Sequence, residues 1–183
     1  MTADPHGDDG SDLRARIVEI PDFPKPGILF RDLLPLLADP AAHAEVIRRL
    51  VAFAAPLEPD VVLGAEARGF LFGPTLAREL GCSFAPVRKQ GRLPGAAWTE
   101  RYTLEYGEDA LELAHHAVEP GMRALIHDDL LATGGTVAAC VRLLRQAGAT
   151  PVGVCVVAEL QGLDGRARLA GLPVHALVPY EGA

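Results

Sequence analysis

The sequence is poor in cysteine: Cys82, Cys140 and Cys155 are odd in number, far apart and without a Cys-x-x-Cys pair. A disulfide framework or a thiolate zinc site therefore has no basis, and reduced thiols in a cytosolic setting are expected. Basic residues are in deficit. With 17 Lys and Arg against 24 Asp and Glu, the formal net charge is −7, which argues against nucleic-acid binding through a cationic face. Long apolar runs are missing too: no stretch approaches the roughly 18 residues of a membrane span, and the N-terminus lacks the apolar core of a signal peptide. A soluble, cytoplasmic protein with no membrane partner is the expectation. The six histidines form no metal motif, since His115 and His116 are adjacent and no His-Glu-x-x-His occurs. Neither a Ser-His-Asp nor a Cys-His arrangement is apparent, and there is no internal repeat.

What is present is globular material. The 183 residues, 49% hydrophobic and 22% charged, suffice for one core without disulfides or a structural metal. Residues 1–11 hold Pro5, Gly7 and Gly10 among acids and read as a mobile acidic tail; residues 12–183 read as a single domain. A helix is expected over 12–19. The prolines at 21, 24 and 26 then force an extended course over 20–27, opening a hood segment that reaches about residue 37. Asp39 followed by Pro40 is a helix start, with Val46, Ile47, Leu50, Val51 and Phe53 as the apolar face.

Beyond residue 55 strands alternate with helices. Strands are expected over 60–64, 83–87, 123–127, 152–159 and 174–178, with a strand pair over 103–106 and 110–114; helices are expected over 69–80 and 134–146. This order implies an α/β fold with a mainly parallel central sheet flanked by helices. Open sheets of this kind bind ligands at the carboxyl ends of their strands. Three loops there carry chemistry: 65–68, 88–100 with the single tryptophan Trp98, and 128–136.

The last of these is the most informative. In ALIHDDLLATGGT, residues 124–136, a strand runs into Asp128 and Asp129 and then into Thr133, Gly134, Gly135 and Thr136 at a helix start. The glycines let successive N–H groups close around a phosphate at the positive end of the helix. No P-loop lysine is present, so a terminal monophosphate fits better than phosphoryl transfer. The two acids, acceptors only when ionised, suit hydroxyl donors such as a ribose diol. Arg88, Lys89 and Arg92, three cations within five residues around Gly91, read as solvated surface or as a lid over an anion.

The acid pair and the Thr-Gly-Gly-Thr loop resemble the 5-phosphoribosyl-1-pyrophosphate (PRPP) signature of the type I phosphoribosyltransferases. IPDFPKPGILFRD, EARGFLFG, VRKQGRLP, LEYG and VAELQGLDGR are similar to the adenine branch of that family, over nearly the whole chain beyond the tail. The resemblance implies a pentosyltransferase of purine salvage that forms AMP and pyrophosphate from adenine and PRPP, with Mg2+ bound mainly through PRPP rather than by protein ligands, and a homodimer. It further implies that Asp128 and Asp129 hold the ribose, and that Ala132, Thr133, Gly134, Gly135 and Thr136 hold the 5-phosphate. Glu66, Ala67, Arg68, Arg88, Lys89 and Arg92 would meet the pyrophosphate. Leu29, Phe30, Arg31 and Leu160 would surround the adenine. Glu105 would move a proton on the base and, with Arg68, do the catalytic work. Ala67 and Arg92 depart from the Ser and Lys common in the family, and His127 stands where an apolar residue is usual. A phosphoribosyltransferase for another purine such as xanthine, or a PRPP-binding regulator without catalysis, remains open at this point.

Overall fold

The computed structural model describes residues 10–104 and 107–181. Its elements in chain order are α1 (Ser11–Arg14), β1 (Val18–Pro21), β2 (Leu29–Asp32), α2 (Leu34–Ala38), α3 (Pro40–Ala54), β3 (Val61–Ala65), α4 (Gly73–Leu80) and β4 (Ser83–Lys89). They continue with β5 (Ala97–Leu104), β6 (Gly107–Ala114), β7 (Arg123–Leu131), α5 (Gly135–Gln146), β8 (Thr150–Leu160) and β9 (Val174–Tyr180). Seven strands form one sheet in the order β5-β6-β4-β3-β7-β8-β9, and β1 and β2 make a separate antiparallel ribbon. From β4 across to β9 all pairings are parallel, while β6 runs antiparallel to both β4 and β5. The α/β class expected from the sequence is the class observed.

The two-residue period of the central strands sorts side chains into two cores. Val61, Leu63, Ile126, Val154 and Val156 face α5, meeting Val137, Val141 and Leu144. Val62, Leu125, Cys155 and Val157 face the opposite layer, with Val46 and Leu50 of α3 and Leu76 of α4. Because helices cover both faces, β3 is buried at every position and reads as the unbroken apolar run VVLGA. Helix α3 starts as expected: Asp39 Oδ1 accepts the N–H groups of Ala41 at 2.8 Å and Ala42 at 3.3 Å, with Pro40 in the first turn.

Several expected boundaries shift where a partner strand exists that local pattern cannot display. The helix expected over 12–19 is only α1, because Val18 to Pro21 pair with the hood strand. Gly10 and Ser11, assigned to the tail from composition, belong to the folded domain: Gly10 is buried against Leu177 of β9. Ahead of α4 the chain makes a short 3₁₀ turn over Arg68–Phe70, so the helix expected from residue 69 starts at Gly73. The largest correction concerns the lid. Strand β4 continues through Lys89, paired with Leu111 of β6, and β5 begins at Ala97, so the loop spans only residues 90–96. Trp98 is thus a strand residue opposite Leu113, its ring 4.4 Å from that of His115, and not part of a lid.

Candidate active site

The carboxyl ends of β3 and β7 lie side by side in the middle of the sheet, Gly64 opposite His127. Strand β7 runs on to Leu131, paired with Glu159 of β8, so Asp128 and Asp129 sit on a strand rather than in a loop. A rigid ladder therefore fixes both carboxylates. The turn after β3 folds back onto them. A Cβ at Gly69 would lie 3.0 Å from the His127 carbonyl oxygen and 3.3 Å from Asp128 Oδ1, so any larger residue would push this turn away from the acids. A cleft of about 200 Å³ opens between the two segments, lined by residues 66–68 and 128–137. Two of the three expected loops thus meet in one site.

At its floor, Arg68 Nε is 3.1 Å from Asp129 Oδ2, and Asp129 is 2% exposed. Asp128 Oδ1 accepts the Asp129 N–H at 2.9 Å. Burial, and then the Asp129 charge beside it, push the Asp128 carboxyl well above the usual range; Arg68 opposes this. Burial raises Asp129 as well, against the pull of Arg68. At the far end of the cleft Gly134 precedes α5 with φ 76°, and a Cβ there would come within 2.5 Å of the Gly165 carbonyl oxygen. Only glycine meets both demands. No side chain caps the helix start and no acid occupies its first turn, which leaves the positive helix end facing the cleft.

Glu66 organises the cations. Its side chain is 7% exposed and meets Arg88 Nε at 3.2 Å, Arg92 at 2.6 Å and the Lys89 N–H at 3.0 Å. Burial alone would raise its carboxyl, but the Arg88 hydrogen bond, the Lys89 N–H and the charges of Arg88 and Arg92 outweigh it and hold Glu66 at about 2. Lys89 turns to Asp109 at 3.4 Å, lining an adjoining hollow with Arg92 and Arg101. The peptide between Glu66 and Ala67 is cis. On the hood, the Phe30 ring lies 5.4 Å from the Arg68 guanidinium carbon and 5.2 Å from the Phe23 ring. Leu29 is exposed and Arg31 buried. Leu160 ends β8 opposite Tyr180 of β9. Glu105 lies outside the described residues.

Two structural supports were not legible beforehand. Buried Glu159 takes a bidentate contact from Arg166 at 2.6 and 2.7 Å, and Arg166 also donates to the Val174 carbonyl. This holds the segment carrying Gly165 against Ala132 and Gly134 of the cleft. The other support is Tyr180, whose ring meets Arg14 and Arg31. Neither pair has a spacing signal, because its members come from separate elements.

His127, for which the sequence offers no role, is a hydrogen-bonded core residue within β7. Its Nδ1 lies 3.1 Å from the Cys155 carbonyl oxygen, Nε2 has no partner among the described residues, and burial drives the imidazole down to about 4. The neutral ring donates from Nδ1. Since the unfolded chain takes up this proton first, stability is lost as pH falls from about 6.5 towards 4, by about 3 kcal/mol in all. His127→Leu is expected to flatten that dependence. Melting temperatures of variant and wild type between pH 7 and 4 check it; parallel curves would refute it.

Comparison with known proteins accounts for this arrangement. A family model for the phosphoribosyl transferase domain matches residues 36–170. An adenine phosphoribosyltransferase of a Synechococcus species is 49% identical over 93% of this chain and 99% of its own length. The chain belongs to the adenine phosphoribosyltransferase family. Among solved structures, the adenine phosphoribosyltransferase of Thermoanaerobacter pseudethanolicus superposes with a TM-score of 0.91 at 43% identity, covering 93% of this chain and 99% of that one. The Saccharomyces cerevisiae adenine phosphoribosyltransferase, complexed with an imino-altritol bisphosphate and adenine, gives 0.87 at 39% identity, with 92% and 98% covered. Members of the adenine phosphoribosyltransferase family are thus similar to this chain over nearly its whole length, hood included.

Proposed function

We propose that the cleft between β3 and β7 is where this adenine phosphoribosyltransferase joins adenine to PRPP, releasing AMP and pyrophosphate. The observation that carries the reading is the convergence of residues 66–68 and 128–137 on one cleft, with acids at its floor and an uncapped helix start at its end. Ala132, Thr133, Gly134, Gly135 and Thr136 hold the 5-phosphate on backbone N–H groups and threonine hydroxyls. Asp128 and Asp129 accept the ribose hydroxyls. The leaving pyrophosphate meets Arg68, Ala67 N–H and the cations that Glu66 gathers, Arg88, Lys89 and Arg92; Glu66 serves through those cations and not by touching the anion.

As the bond from the anomeric carbon to pyrophosphate breaks, positive charge grows on the ribose and negative charge on the departing oxygens. The acid pair favours the first and the cations the second. Adenine N9 forms the new bond and gives up its proton, in which Glu105 assists. No three His, Cys, Asp or Glu side chains gather as a metal cage among the described residues. The Asp128 and Asp129 oxygens suit a Mg2+ carried mainly by substrate oxygens, whose charge would further neutralise pyrophosphate. The base lies between Phe30 and Leu160, read by backbone groups at Leu29 and Arg31. The enzyme acts in the cytoplasm as a homodimer. Among the described residues no helix is long and apolar enough to cross a membrane.

The regulator reading loses its support, because the family is one of enzymes. Pyrophosphate release from PRPP and Mg2+ with adenine, hypoxanthine, guanine or xanthine tests the activity. Release with none of them would overturn it.

The acid pair gives a second expected result. Hydrogen bonds to charged acceptors are worth about 1.5 to 3 kcal/mol each, so Asp128→Ala or Asp129→Ala is expected to lower kcat/KM for PRPP at least about tenfold. Stability moves the other way for Asp128→Asn. A carboxyl whose folded pKa is raised favours folding when protonated and loses that contribution as pH rises through the folded value. Asp128→Asn removes that penalty and should raise Tm at neutral pH while activity falls. A lowered Tm together with normal activity at low PRPP would remove the ribose assignment.

A further inference from the structure

Tyr180 is the last residue of β9 and 5% exposed. The guanidinium carbon of Arg31 lies 4.5 Å from its ring centroid and that of Arg14 lies 4.6 Å away. Arg14 comes from α1 and also donates to the Pro179 carbonyl beside the ring. Arg31 comes from the hood, where its side chain is 8% exposed, its Nε is 3.4 Å from Glu19 Oε1 across the ribbon, and it donates to the Leu29 carbonyl at 3.3 Å.

Between its buried flanking residues Ile17 and Leu33, the ribbon itself has little to hold it. Every residue of β1 is exposed, and in β2 Arg31 alone is buried. A two-stranded ribbon is marginal by itself; its base is anchored by the buried Ile17 and Leu33, and within the strands its place over the sheet edge is set largely by where the Arg31 side chain docks. Phe30 directly precedes Arg31, and strand alternation sends its ring to the other face of the ribbon. On the sheet, Tyr180 is the ladder partner of Leu160. One aromatic ring therefore touches the anchor of the strand bearing Phe30 and adjoins the strand bearing Leu160.

We infer that Tyr180 is a positioning residue for the purine: through Arg31 it fixes the spacing between Phe30 and Leu160, without itself touching substrate. The inference rests on the assignment of Phe30 and Leu160 to the two faces of the base. A cation over an aromatic face acts through the ring and not through the hydroxyl, and Tyr180 Oη has no hydrogen-bond partner among the described residues. The ring is thus the working part.

The test measures kcat and both KM values, with Tm, for Tyr180→Leu, Tyr180→Phe, Arg31→Met and Phe30→Leu. Tyr180→Leu is expected to raise the KM for adenine at least about tenfold, with kcat and the KM for PRPP within about twofold, as for loss of a desolvated cation–π contact. Tyr180→Phe should restore the adenine KM. Should Tyr180→Leu not fold, Arg31→Met breaks the same contact from the hood side, leaves the ring in place and should raise the adenine KM alike. An adenine KM within about twofold of wild type in the folded variants overturns the inference, as does a parallel loss in all three parameters or a Tyr180→Phe as impaired as Tyr180→Leu. A raised adenine KM in Phe30→Leu with none in Tyr180→Leu removes this inference alone. No change in Phe30→Leu removes the base assignment, and the inference with it.

Discussion

Adenine is expected to exceed hypoxanthine by at least about 10³-fold in kcat/KM, a bound set below the 10⁴-fold to 10⁵-fold that hydrogen-bonding sites can reach. Residues 29–31 lie on β2, whose backbone pairs with β1 on one side, leaving the other edge of the strand to meet a ligand. A backbone carbonyl there accepts a hydrogen bond from the 6-amino group of adenine. Hypoxanthine and guanine present a 6-oxo group to the same acceptor, and both oxygens are then left buried and unpaired. Because the discriminating atoms belong to the backbone, Phe30→Leu should weaken adenine use through lost stacking and leave the preference intact. Competition between adenine and hypoxanthine for limiting PRPP reads the ratio directly. Comparable yields of AMP and IMP would discard the backbone assignment.

Glu105→Gln is expected to lower kcat by about 10²-fold to 10⁴-fold, the span of general acid–base catalysis by one positioned group. Glu105 lies outside the described part of the chain, between neighbours that are described. Strand β6 is antiparallel to β4, with Lys89 opposite Leu111, so residues ahead of Leu111 extend past the carboxyl end of β4. That is the edge on which the cleft opens. Leu104 and Gly107, on either side of the undescribed pair, are themselves a cross-strand pair at that end of the hairpin. Gln keeps the shape and hydrogen-bonding reach of Glu but cannot take the N9 proton. The KM for PRPP should therefore hold while kcat falls and its pH profile loses one limb. A Gln variant with normal kcat and an unchanged profile would assign the proton to another group.

Much of this was legible in the sequence because it is local. Asp39-Pro40 starts a helix by chemistry contained in four residues, and VVLGA after Asp60 has the unbroken apolarity of a strand covered on both faces. The turn into α5, proposed above as the phosphate loop, was legible for the same reason: an acid pair followed by two glycines between two threonines is a pattern contained in nine residues. The family followed from such segments taken together, and with it the substrate.

Pairing across the sheet was decided only in three dimensions. That β4 runs on through Lys89, that Trp98 is a strand residue and that Asp128 and Asp129 sit within β7 depend on partner residues 15 or more positions away, and no local periodicity records a partner. Charge placement belongs to the same class. The sequence shows Arg88, Lys89 and Arg92 as a free basic cluster, whereas the fold delivers Glu66 from the neighbouring strand and turns two of them into its counter-ions. Arg14, Arg31 and Tyr180 are more than a hundred residues apart at the extremes. Their meeting exists only because α1 and the hood both dock on the last strand, an outcome of packing that no spacing rule encodes.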